Sequence, residues 1–262
     1  MITIGCLGCG NMGGAILRGL AGLNRGYRLL GVDHHPERVA ACSAEAATPA
    51  QLGREADVLL VAVKPYAVAG ALREALDGAP ARRRVVLSVA AGVSVASLRA
   101  LVDDQTAVVR CMPNTPVAVG MGSFGLYLGD DRLDDEQRAL VRDMFNALGK
   151  TVEIPETQFA AFSALVGCGP AYIFYVIEAL AEAGVRMGFR RAEAQEMAAW
   201  LCAGSAQLAL QPGAHPSILR EQVCSPAGST IEGIAALDTH AVKAALEAAV
   251  RAAWDKEKSR EN

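Results

Sequence analysis

At 262 residues and 52% hydrophobic content, the chain can bury one large core or two modest ones, and 20% charged residues is not a disordered composition. Residues 1–152 carry 16 basic and 15 acidic side chains and the remainder 9 and 13, so neither half has the positive field a phosphate backbone needs, and nucleic-acid binding is set aside. The seven cysteines, at 6, 9, 42, 111, 168, 202 and 224, form no disulfide framework. No basic leader precedes MITIGCLG, and the apolar stretch 164–177 is too short to span a bilayer. The expectation is a soluble cytoplasmic protein that meets no membrane.

Short apolar runs alternate with helical patterns through the first half. Residues 2–7 read as a strand, 12–23 as a helix with Ile16, Leu17, Leu20 and Leu23 on one stripe, and 28–33 as a second strand. Residues 36–47 read as a helix with Pro36 in its first turn. The run 57–63 reads as a third strand, apolar throughout as expected when both faces are covered, and 84–89 and 107–111 read as a fourth and a fifth. Strand and helix in regular order predict an α/β fold: a Rossmann domain with a mostly parallel, doubly wound sheet. The rhythm changes at 150–156, where GKTVEIPE is a last short strand. Beyond it the signal is all-α: 158–184 with a Gly-Cys-Gly-Pro break, 191–210, 216–223, 231–237 and 239–254, then a charged tail expected to fray. The predicted division is 1–152 and 153–262.

The stretch GCLGCGNMGG carries two readings. Cys6 and Cys9 form a C-x-x-C, but no second cysteine pair or histidine cluster completes a zinc site, and Cys9 sits in a glycine turn rather than at a helix N-terminus that would favour a thiolate. No metal is expected. Gly8, Gly10 and Gly13 form G-x-G-x-x-G between a strand and a helix. The first glycine permits the turn, the second the approach of a pyrophosphate and the third close helix–strand packing. Asp33 follows the last glycine by 20 residues, at the end of the second strand, where an acid accepts hydrogen bonds from a ribose diol. His34, His35 and Arg38 follow it and could offset repulsion of a 2′-phosphate, or could be ordinary loop residues. NAD(H) against NADP(H) stays open at this point.

Three further stretches end strands, where ligands bind in open α/β sheets: Ala62, Val63, Lys64 and Pro65; Ala90, Ala91 and Gly92; and the loop with Met112 and Asn114 between prolines. Each alone also reads as an ordinary turn, and Lys64 as a solvated strand-end lysine. In the helical half, Ser229-Thr230-Ile231-Glu232 fits a capping box with Ser229 as N-cap. The same segment reads as a pocket for a small carboxylate, built from a helix N-terminus and the Ser225, Ser229 and Thr230 hydroxyls. His215 and His240 are isolated, and no Ser-His-Asp or Cys-His set is present.

Together GCGNMG at 8–13, AVKP at 62–65, AAG at 90–92, MPNTP at 112–116, GCGPAY at 167–172 and SPAGST at 225–230 resemble the pyrroline-5-carboxylate reductase family, in the family's order and over nearly the whole chain. The resemblance implies reduction of 1-pyrroline-5-carboxylate to L-proline by NAD(P)H, the last step of proline biosynthesis. It implies a cofactor site from Gly8, Cys9, Gly10, Asn11, Met12, Gly13, Asp33, His34, Ala62–Pro65, Ala90–Gly92, Met112 and Asn114. It also implies a helical domain that pairs into a homodimer, with decamers among its members and the substrate at the dimer interface. There Ser225, Gly228, Ser229 and Thr230 would hold the carboxylate of the imine substrate, with the catalytic Thr230 hydroxyl on the ring nitrogen. The chain departs from the family pattern at Ala160, Ser163, Val166 and Cys168, where polar groups are lost or softened, at Ala227 and Ser229, and at Asp33, where NADPH-preferring members commonly carry small or basic residues. A related imine or keto-acid reductase and a non-catalytic dinucleotide-binding regulator are the alternatives. A β-hydroxyacid dehydrogenase would need a lysine within 158–184, which has none.

Overall fold

The computed structural model describes residues 1–23 and 25–261. The chain divides into two compact units, one of residues 1–168 with the chain's end from Trp254 onward, the other Gly169–Ala253. The first unit runs β1 (Thr3–Leu7), α1 (Asn11–Ala21), β2 (Arg28–Val32), α2 (Pro36–Ala40), β3 (Glu45–Ala46), α3 (Pro49–Glu55), β4 (Val58–Val61), α4 (Val68–Leu76), β5 (Arg84–Ser88), α5 (Val95–Arg99), β6 (Thr106–Met112), β7 (Gly122–Tyr127), α6 (Asp135–Asn146), β8 (Gly149–Glu153) and α7 (Phe159–Phe162). The sheet order is β3-β2-β1-β4-β5-β6-β7-β8, parallel except for the antiparallel β6–β7 pair. The expected mostly parallel Rossmann sheet is therefore present, with the order reversing at β1.

Period-two alternation splits each central strand between two cores. Ile4, Cys6, Val58, Leu60, Val85 and Leu87 pack on one face with Ile16, Leu17 and Leu20 of α1 and Val141 and Phe145 of α6. Leu7, Leu59, Val61 and Val86 pack on the other with Leu52 of α3, Leu72 of α4 and Leu98 of α5. Side chains fix the helix starts: Thr48 accepts the Gln51 N–H, Ser94 the Ser97 N–H, and Asp134 forms a reciprocal capping box with Gln137.

Several boundaries differ from the sequence pattern. The helix expected over 36–47 stops at Ala40, because the chain turns through Ser43 at φ 56° and Glu45–Ala46 joins the open edge of β2. Pairing a strand edge outweighs local helix propensity there. Elements α3, β7 and α6 do not stand out in the sequence. The Gly-Ser-Phe-Gly of β7 resembles a turn, yet Phe124 and Leu126 are fully buried and β7 bridges β6 to β8.

The second unit is all-helical: α8 (Gly169–Arg186), α9 (Arg191–Ala209), α10 (Pro216–Gln222), α11 (Ser229–Thr239) and α12 (Val242–Glu261), whose residues from Trp254 belong to the first unit. Ala181, Ala194 and Ala198 make its small core, and a Cβ on Gly184 would lie 3.1 Å from the Ala194 Cβ, so α8 and α9 pack closely. The charged tail continues α12 to Glu261. The expected Gly-Cys-Gly-Pro break is where the regular α-helix is interrupted, with Cys168 between a π turn and α8. Residues Ser163–Gly167 form a π turn in which the Cys168 N–H donates to the Ser163 carbonyl at 2.8 Å. Pro170 falls in the first turn of α8, where its missing N–H costs no hydrogen bond. The resulting helical run, Glu156–Arg186, is long and apolar enough to cross a membrane by length and composition, with 17% of its apolar window buried. That exceeds the 164–177 stretch that the sequence suggested.

Candidate functional site

The first cluster lies along the carboxyl edge of the parallel strands. Gly8, after β1, has φ 95°, and a Cβ there would sit 2.8 Å from the Ala62 carbonyl. A Cβ on Gly13 would fall against the Gly8 carbonyl and 2.9 Å from the Ala62 Cβ. Gly10 differs: its Cβ position meets nothing within 4 Å. Two glycines are thus demanded by close packing and the middle one faces open space, the division of roles a pyrophosphate cradle requires. No side chain caps α1, whose N-cap is Gly10 and whose first turn, with Asn11 and Met12, carries no acid. Its N–H groups and helix dipole suit a phosphate. The residues present fit a dinucleotide.

The sheet order sets β1, β4, β5 and β6 side by side, so the turns after them form one row: Gly8–Gly13, Ala62–Pro65, Ala90–Gly92 and Met112–Asn114. Lys64 is exposed and precedes a one-turn 3₁₀ helix. Gly92 turns at φ 73°. Asn114 is buried and has a structural duty: its side-chain N–H donates to the Val166 carbonyl at 3.2 Å and its Oδ1 accepts the Ser123 N–H at 2.8 Å. A Cβ on Gly167 would lie 2.7 Å from the Met112 Cε. The MPNTP loop is therefore braced by the π turn. Because Val166 contributes its backbone carbonyl, a changed side chain at that position leaves the brace intact. Ser163, another departure, is buried and donates to Glu257 Oε2 at 3.1 Å, tying the end of α12 to the same turn. Sequence reading missed that contact, since 94 residues separate the partners.

At the end of β2, Asp33 Oδ2 accepts the Cys9 N–H at 2.8 Å and Oδ1 the His35 N–H at 2.9 Å. His34 is exposed beside it. Arg38 Nη1 lies 3.7 Å from Asp33 Oδ1. Below the glycine turn, Cys6, Cys9 and Cys42 are all buried. Cys6 Sγ donates to the Gly8 carbonyl at 3.3 Å and Cys42 Sγ to the Arg38 carbonyl at 2.9 Å. The hydrogen bond with Cys9, then burial, pushes the Cys6 thiol well up; that same bond draws Cys9 down; burial raises Cys42. Among the described residues, no group of three or more His, Cys, Asp or Glu is arranged to hold a metal.

The second cluster belongs to the helical unit. Ala227 turns at φ 56°, the Gly228 N–H donates to the Ser225 carbonyl at 3.0 Å, and a Cβ on Gly228 would fall on the Ser225 Oγ. The expected capping box is absent: Gly228, not Ser229, is the N-cap of α11, and no side chain caps it. The tight turn delivers the chain to the helix one residue earlier than the pattern suggests, which places Ser229 and Thr230 inside the first turn. Both residues are exposed. An uncapped helix N-terminus beside three hydroxyls is chemically suited to a carboxylate.

The fold and its glycine cradle define a dinucleotide-dependent oxidoreductase with an added helical unit. The family model described as pyrroline-5-carboxylate reductase dimerisation matches residues 156–260, and that described as NADP oxidoreductase coenzyme F420-dependent matches 3–92. The pyrroline-5-carboxylate reductase of Methanosarcina acetivorans is 34% identical over 97% of this chain and 96% of its own. Among solved structures, a pyrroline-5-carboxylate reductase from Coxiella burnetii superposes with a TM-score of 0.89 at 28% identity, covering 99% of this chain and 98% of that one. The Plasmodium falciparum pyrroline carboxylate reductase with NADP bound gives 0.85 at 27% identity, covering all of both chains. This chain belongs to the pyrroline-5-carboxylate reductase family.

Proposed function

We infer that the chain catalyses the reduction of 1-pyrroline-5-carboxylate to L-proline with NAD(P)H, the last step of proline biosynthesis. The reading is carried by one observation: the SPAGST turn ends in an uncapped helix in a chain whose glycine turn leaves room only at Gly10. Gly8–Gly13, Asp33, His34 and the turns Ala62–Pro65, Ala90–Gly92 and Met112–Asn114 hold the dinucleotide. When bound, the reduced nicotinamide supplies the hydride. The backbone N–H groups of Ser229 and Thr230 and the Ser225 hydroxyl hold the substrate carboxylate, with Gly228 setting the turn. The Thr230 hydroxyl hydrogen-bonds the ring nitrogen. A cyclic imine is basic enough to take its proton from water, so these residues work by positioning rather than as strong acids.

By role, 1–152 is the Rossmann dinucleotide domain and 153–262 the helical dimerisation and substrate domain, although by compactness 153–168 and the chain's end from Trp254 group with the first unit. The helical domain pairs as a homodimer, with decamers open to it. Its exposed apolar face meets a second copy rather than a bilayer, consistent with a cytoplasmic enzyme that binds no nucleic acid.

The test is turnover of 1-pyrroline-5-carboxylate by the purified protein, followed through cofactor absorbance with NADH and NADPH in parallel. Thr230→Ala should lower kcat by about 10- to 100-fold while cofactor affinity is unchanged. Unchanged kinetics would remove Thr230 from the mechanism.

A further inference from the structure

Asp33 does more than end β2. Its side chain is 9% exposed. The Cys9 N–H on Oδ2 comes from the glycine turn, and the His35 N–H on Oδ1 from the loop into α2. The carboxylate is held by backbone N–H groups of both loops at once. A carboxylate offers about four acceptor positions, so some remain for a sugar hydroxyl.

The surrounding charge is also unfavourable to a second anion. His35 Nδ1 lies 3.3 Å from Glu37 Oε1, and Arg38 is drawn toward Asp33. With neutral imidazoles, residues 33–38 carry two carboxylates against one guanidinium. Arg18 of α1 approaches Cys42, with Nη1 3.8 Å from Sγ. The single cation of residues 33–38 thus already lies against Asp33 rather than facing a phosphate alone.

We propose that Asp33 makes this enzyme select NADH over NADPH, accepting a hydrogen bond from the adenosine 2′-hydroxyl and repelling a 2′-phosphate. The proposal rests on the reading of the glycine turn as a dinucleotide site. It differs from a merely structural role for Asp33, which would stabilise the turn equally for both cofactors.

The experiment is calorimetric titration of the full-length protein with NADH and NADPH, without imine, at low and high salt. NADH binds at least about tenfold more tightly, since juxtaposed like charges are costly, and the ratio narrows as salt screens the charge. In Asp33→Asn the ratio falls below about threefold. Equal or tighter binding of NADPH by the natural protein, or an unchanged ratio in Asp33→Asn, overturns the proposal. Binding of neither cofactor overturns the dinucleotide reading beneath it as well. Should Asp33→Asn fail to fold by thermal unfolding, Arg38→Ala on the exposed loop serves instead. Loss of the one cation widens the ratio, and an unchanged or narrower ratio overturns the proposal.

Discussion

The two units solve the burial problem differently. In the first, β4 and β5 are buried along their whole length, and side chains as large as Phe124, Phe145 and Leu60 are wholly enclosed between sheet and helices. In the second, three alanines make the core, while Phe174, Tyr175, Trp200 and Leu208 are each more than 60% exposed. A sheet covered by helices on both faces completes its core within one chain. A pair of long helices that meet through alanine and glycine presents its large apolar residues outward. Exposed apolar surface on that scale marks an interaction face, and residues 156–260 match a dimerisation family.

Three substitutions would sharpen or break this contrast. The largest effect is expected at Leu60, wholly buried in β4. Leu60→Ala should cost about 2–5 kcal/mol in chemical denaturation; a cost near zero would mean the first unit's core is not what holds it together. Next is Trp200→Glu on α9, where the indole is 73% exposed. Light scattering should show a shift toward monomer, with dimer dissociation strengthened by about 30-fold or more, and the first unit should still bind cofactor. An unshifted oligomer would place the interface elsewhere.

The smallest effect concerns Asp134, the α6 cap. The Gln137 N–H, then the Arg83 guanidinium, holds its carboxyl below the ordinary range. A depressed folded pKa means that its contribution is present above the unfolded value, about 3.9, and is lost as pH falls through the folded one. Asp134→Asn should therefore flatten the acid limb of the stability profile below about pH 4 and leave oligomeric state untouched. An identical acid limb in Asp134→Asn would show that the cap carries no such linkage.

Much of the site was legible because its chemistry is local. Gly8, Gly10, Gly13 and Asp33 lie in one strand–turn–helix–strand stretch, where spacing alone encodes the turn. SPAGST was equally visible, although its cap was misplaced by one residue: a turn through Ala227 at positive φ is not written in a hydroxyl-to-glutamate spacing. Arg84 shows the opposite limit. It falls in a run that the sequence reads only as a strand, yet it is 1% exposed, its guanidinium donating to the Gly53 and Pro80 carbonyls. Burial pulls its pKa down. Those acceptors come from a helix and a loop that a linear pattern does not bring together.

By itself the sequence determined the fold class, the cradle and the family, since apolar periodicity, glycine spacing and short motifs each act within a few residues. The tertiary structure alone decided where α2 stops, that 45–46 and 122–127 become strands, and that Ser163 reaches Glu257. It also decided which neighbours pin Asp33. Each depends on hydrogen-bonding groups or surfaces from distant chain segments, whose pairing outweighs local propensity only once the sheet has formed.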